Sequence, residues 1–143
     1  MSKMDLKQIK QSYGTNLTTE SEGQWFPLIL IEGAHVKVAR AGNPAYKKAL
    51  KRLYKPYTKQ LRRGKDVAPE VEDRIQINLL VDTLLKDWKG LPGEDGKEVP
   101  YSKETAKLLL TDPELKELKE EIIGYSEEFE AYQENLNEDL EKN

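Results

Sequence analysis

At 143 residues, with 37% apolar and 34% charged side chains, the chain has room for one domain with a modest core and is too apolar to be disordered throughout. It has no cysteine, which excludes disulfides, thiolate catalysis and thiolate metal sites. The net charge of −3 conceals a segregation: residues 33–65 carry eleven bases and no acid, whereas residues 112–143 carry twelve carboxylates against Lys116, Lys119 and Lys142.

Residues 1–13 form a faint helical stripe, Met4 or Leu6 with Ile9 and Tyr13, and residues 14–23 are rich in Thr, Ser, Asn and Gly, as in a linker. Together 1–23 read as a flexible N-terminal segment ahead of a single globular domain over 24–132. No run approaches the roughly 20 apolar residues of a membrane helix, and residues 1–10 lack the apolar core of a signal peptide. The expectation is a cytoplasmic protein without a membrane partner.

Trp25-Phe26-Pro27-Leu28-Ile29-Leu30-Ile31 and Ala34-His35-Val36-Lys37-Val38-Ala39-Arg40, joined by Glu32-Gly33, predict a β-hairpin. Pro27 cannot donate to a ladder, so the first strand lies at an edge or starts after it. Either the Val36/Val38 or the Ile29/Ile31 face must rest on helices, because two strands alone are marginal in water.

Asn43-Pro44 is a helix start, a capping residue followed by proline at the first helical position. The stripe Tyr46, Leu50, Leu53, Tyr57, Leu61 faces inward, and Pro56 should kink or break the helix near Leu53. Pro69 opens the next helix. Over 71–88 the apolar residues Val71, Ile75, Ile77, Leu79, Leu80, Val81, Leu84, Leu85 and Trp88 predict one long core helix, with Gly90 as its left-handed cap. Glu94-Asp95-Gly96 reads as a turn, since a calcium loop needs further oxygen ligands at fixed spacing. Ser102 caps a short helix and Asp112-Pro113 starts the next.

From Leu115 the residues Leu118, Ile122, Tyr125, Phe129, Tyr132, Leu136 and Leu140 step by three and four, predicting a helix that covers the domain to Tyr132 and ends in an acidic, frayed segment over 133–143. The fold class is therefore α+β, predominantly helical: an N-terminal β-hairpin packed on about five helices. Trp88, Leu84, Ile75, Leu79, Leu108 and Ile122 are expected in one core.

His35 is the only histidine and stands in no nucleophile or metal-ligand pattern, and no phosphate-binding glycine pattern occurs. No catalytic, cofactor-binding or metal-binding residue is assigned, and the chain is not expected to be an enzyme. The basic, tyrosine-interleaved segment 37–65 is the one feature suited to nucleic acid, through phosphate neutralisation and base stacking. Its tyrosines fall on the packing stripe, however, and the whole chain is acidic with pI ≈ 5.4, so nucleic acid is the alternative and not the first reading.

Val36-Lys37-Val38-Ala39-Arg40-Ala41-Gly42-Asn43-Pro44, Asp87-Trp88 followed by Asp95-Gly96-Lys97-Glu98-Val99-Pro100-Tyr101-Ser102, and Leu108-Leu109-Leu110-Thr111-Asp112-Pro113 occur in an order that resembles the tail assembly chaperones of long, non-contractile-tailed bacteriophages. The resemblance spans most of residues 24–132. It implies a non-catalytic, cofactor-free protein of the host cytoplasm that binds the tape-measure protein, promotes tail tube assembly and stays out of the mature virion. It also implies an extended, frameshifted form that reaches the tail tube protein. Amphipathic helices and segregated charge suit such a role, with Lys48, Arg52, Lys55, Tyr125, Phe129 and Tyr132 as partner-binding candidates. The alternative is a small nucleic-acid-binding or regulatory phage protein using residues 37–65.

Overall fold

A computed structural model describes residues 2–133 of the chain. In order, the elements are α1 (Leu6–Tyr13), α2 (Leu17–Glu22), β1 (Gln24–Pro27), β2 (His35–Val38), α3 (Pro44–Tyr54), α4 (Thr58–Arg62), α5 (Pro69–Leu79), β3 (Leu85–Lys89), α6 (Lys103–Thr111) and α7 (Lys116–Ser126). The fold is α+β and predominantly helical, with, among the described residues, five helices of eight residues or more, two shorter ones and a three-stranded antiparallel sheet in the order β1-β2-β3.

The locally encoded starts form as read. Asn43 accepts from the Tyr46 amide at 2.9 Å, Ser102 from Thr105 at 3.1 Å and Asp112 from Glu114 at 2.9 Å. Pro69 opens α5, and a 3-10 turn over Lys55–Tyr57 holds Pro56 between α3 and α4.

The long core helix is not one helix. α5 ends at Leu79, a π-helical turn covers Leu80–Leu84, and Leu85–Lys89 pairs with β2 as a third strand. In the turn the Thr83 hydroxyl donates to the Leu79 carbonyl at 2.6 Å. A β-bulge explains why the strand looked helical. Val36 faces Trp88 and Lys37 faces Asp87, but Val38 faces Leu85, so Lys86 is the extra residue. The slip puts Leu85 and Trp88, three residues apart, on the same buried side, which imitates the helical period.

Three further expectations change. β1 stops at Pro27 and the chain turns over 28–34, leaving Ile29 and Leu30 exposed, so it is Phe26, Val36 and Val38 that face the core. Gly90 has φ +76° but follows a strand. A Cβ there would collide with the Gly33 carbonyl, so glycine serves close approach of that turn to β3. Residues 14–23, read as a linker, hold α2, capped by Asn16, whose own amide donates to the Tyr132 carbonyl at 2.7 Å.

α7 ends at Ser126 instead of running to Tyr132. The Glu127 and Glu128 amides fold back to the Gly124 and Tyr125 carbonyls, and a 3-10 turn over Phe129–Gln133 follows. Leu136, Leu140 and the acidic end lie outside the described residues.

The core is two clusters. The larger gathers Phe26, Val36, Val38, Leu84, Leu85, Trp88, Ile122 and Tyr132 around the sheet; the smaller holds Ala49, Ile75 and Leu79 between α3 and α5, with Tyr46 touching both. Trp88, Leu84, Ile75, Leu79 and Ile122 are buried as expected, divided between the two. Leu108 is 75% exposed: the inward positions of α6 are Ala106 and Leu110.

Candidate partner-binding groove

A largely apolar concavity is formed by the turn after β1 and by α7 with the 3-10 turn (Pro113–Leu115) that leads into it. Leu28, Leu30, Ile31, Leu115 and Leu118 line a hollow of about 550 Å³, and Glu114, Glu117, Glu120 and Glu121 stand on its α7 side. A second hollow of about 240 Å³, with Leu91, Pro92, Val99 and Leu109, shares Ile31, Leu115 and Leu118 with the first and extends it towards α6. The result is an apolar channel with an acidic margin.

The wall made by the turn is held by hydrogen bonds. The Leu28 amide donates to the Ala34 carbonyl at 2.9 Å, and the Ile29 amide donates to the Glu121 carboxylate at 3.2 Å. Tyr125 stacks on Phe26 with ring centroids 4.4 Å apart and donates its hydroxyl to the Pro27 carbonyl at 2.5 Å. Burial, then the nearby Glu121 and Glu128 carboxylates, push its pKa up to about 12. These bonds present Leu30, 88% exposed, above the channel.

The six residues proposed from sequence fall into two separate groups. Tyr125, Phe129 and Tyr132 belong to the chain's own packing. Tyr132 is fully buried, its hydroxyl donates to the Val38 carbonyl at 2.8 Å, and burial pushes its pKa well up. Phe129 lies with Tyr132 under the Arg40 guanidinium, 5.5 and 5.9 Å from the two ring centroids. Arg40 also pairs with Glu20 of α2 at 3.1 Å, so this member of the basic run is used internally.

Lys48, Arg52 and Lys55 are exposed along α3 and the turn after it. Lys48 and Arg52 share a cleft of about 390 Å³ with Lys103 and Asp82, which lies 3.8 Å from Arg52 and 3.9 Å from Lys103. Contacts that long between exposed groups contribute little. Among the described residues, no ion pair joins the basic helices to residues 112–133.

Sequence reasoning missed the groove itself. Leu115 and Leu118 were legible as a helical stripe, but Leu30 and Ile31 were assigned to a strand, and only the turn brings the two sets together. Among the described residues there is no cluster of three or more His, Asp or Glu side chains placed to hold a metal ion, and no helix is long and apolar enough to cross a membrane.

Fold and surfaces together define a small α+β protein with an acidic-margined apolar groove and a separate basic face. The chain belongs to the YdaY prophage protein family, whose model matches residues 41–143, and it is a phage-derived protein. That match takes in α3 to α7 and leaves α1, α2, β1 and β2 outside. Comparison with curated proteins and with solved structures returns no significant match.

Proposed function

We propose that this prophage protein is a non-catalytic tail assembly chaperone that binds apolar helical stretches of the tape-measure protein in the host cytoplasm and promotes assembly of the tail tube around it. The observation that carries this reading is the channel between the 28–34 turn and α7. Its apolar lining suits the apolar face of a helix, and its glutamates favour a helix with basic flanks. The phage origin and the resemblance of the ordered segments supply the client.

Coexpression with the tape-measure protein of the same prophage tests it. The expected result is a soluble complex that survives size exclusion. Leu30→Asp, a change at a largely exposed position, should weaken that complex about tenfold or more while leaving the fold intact. A tape-measure protein equally insoluble with and without the chain overturns the reading.

The second reading, binding of nucleic acid by residues 37–65, is supported by the cleft in which Lys48, Arg52 and Lys103 face a single carboxylate. Tight binding with a steep salt dependence in a mobility-shift titration would promote it.

A further inference from the structure

α1 is an amphipathic helix with nothing of its own buried. Leu6, Ile9 and Tyr13 fall within a sector of roughly 60° on its surface, and they are 56%, 45% and 80% exposed. Lys7 and Lys10 stand three residues apart along one flank of that stripe. An isolated helix of this length is marginal in water and gains most of its stability from packing an apolar face. The apolar stripe therefore calls for a receiving surface.

The helix is also held in place at one end. Gln133 donates its side-chain amide to the Ser12 and Gly14 carbonyls at 3.2 and 3.0 Å, and the Asn16 amide is bound to Tyr132. This anchor sits beside the Gln24/Val38 end of the β1–β2 pair, whereas the groove begins beyond the Pro27/His35 end, roughly 13 Å further along the strand. Within one chain the apolar stripe of α1 faces solvent.

We propose that α1 of one copy docks in the groove of a second copy, so that two chains exchange their N-terminal helices. Leu6 and Ile9 enter the channel beside Leu30 and Leu118, and Lys7 and Lys10 meet the carboxylates of Glu114 and Glu117. Each copy carries both halves of the contact, so a two-fold pair fills both grooves and closes. Docked there, α1 competes with a client helix for the same channel and keeps it covered until the client arrives. The proposal rests on the groove being a helix-binding site, as in the chaperone reading, but it does not depend on who the client is.

The test is a charge swap on purified full-length chain, without client, read by sedimentation over a range of concentrations. Wild type should form a dimer. Lys7→Glu/Lys10→Glu and Glu114→Lys/Glu117→Lys should each weaken self-association about tenfold or more, because each places like charges in both contacts. All four positions are exposed, so neither variant disturbs a buried contact. Mixing the two variants should restore a heterodimer, since both of its contacts then pair opposite charges. A wild type that stays monomeric overturns the proposal, as does a dimer that survives either swap or a mixture that stays monomeric. Client rescue by the Lys7→Glu/Lys10→Glu variant reports separately on the chaperone reading, which stands if rescue persists without a dimer.

Discussion

The sheet-centred cluster draws its residues from Phe26 to Tyr132, and three of its aromatic donors find backbone carbonyls. Trp88 Nε1 donates to Val99 at 2.8 Å, Tyr101 to Leu85 at 2.9 Å and Tyr132 to Val38 at 2.8 Å. The α3–α5 cluster is smaller and local, built from residues 46–79, and its tyrosines meet side chains at the rim. Tyr54 donates to the Glu72 carboxylate, and Arg74 donates to the Tyr57 hydroxyl at 3.0 Å. One region bonds its aromatic polar groups to backbone, in Tyr132 across most of the chain; the other uses them to finish the edge of a helix pair. The same chemical change should therefore have different consequences in the two.

The largest effect is expected at Trp88. It is 4% exposed, crosses to Val36 on β2 and meets Tyr101 edge-on with centroids 5.0 Å apart. Trp88→Ala removes that packing and leaves the Val99 carbonyl without its indole donor, at a cost of about 3–5 kcal/mol. A fall in thermal midpoint of roughly 10 °C is the expected reading. An unchanged midpoint would mean that β3 does not anchor the sheet.

How much of this was legible follows the same division. Helix starts at Asn43, Pro69, Ser102 and Asp112 and the break at Pro56 depend on a few neighbouring residues, and each could be read locally. β3 could not, because a bulge turned a strand's alternation into a three-residue spacing that belongs equally to a helix. α2, Leu-Thr-Thr-Glu-Ser-Glu, has no apolar stripe to read. It is placed by the Asn16 cap, the Arg40 bridge to Glu20 and its contact with the 129–133 turn. The stripe Tyr125, Phe129, Tyr132 was correctly seen as apolar, yet whether it served core or partner depended on Phe26 and Val38, about a hundred residues away. The groove was illegible for that reason too: its walls are adjacent only after folding.

Tyr132→Phe sharpens the contrast at an intermediate scale. The ring stays, so the packing against Phe26 at 6.2 Å persists, but the donor to Val38 is lost from a fully buried site. A cost of about 1–2 kcal/mol is expected in denaturant unfolding, with an unchanged slope because the compactness of neither state alters. Because Tyr132 also carries the carbonyl that receives the Asn16 amide, hydrogen exchange should show faster opening of α2 in the variant. Unchanged protection there would mean that α2 is held independently of the Tyr132 hydroxyl.

The smallest effect is expected from the equivalent change at the rim, Tyr54→Phe, and pH separates its cause. The hydrogen bond to Glu72, then burial, raise the Tyr54 pKa to about 12, and Tyr125 is raised to about 12 mainly by burial. A tyrosine holds its proton more tightly in the folded state when its pKa is raised. Its contribution is therefore complete below pH 10, the ordinary value, and disappears as pH climbs from 10 towards 12. Alkaline unfolding should begin in that window, and both groups should titrate towards its upper end in ultraviolet absorbance while the fold lasts. Tyr54→Phe removes one late-titrating phenol and costs about 0.5–1 kcal/mol at neutral pH, since Glu72, released at a half-buried edge, finds water instead. The onset of alkaline unfolding should barely move, because Tyr125 and Tyr132 still hold the sheet-centred core. If Tyr54→Phe moved that onset as far as Tyr132→Phe does, the α3–α5 pair would be as central to the fold as the sheet, and the division between the two regions would fail.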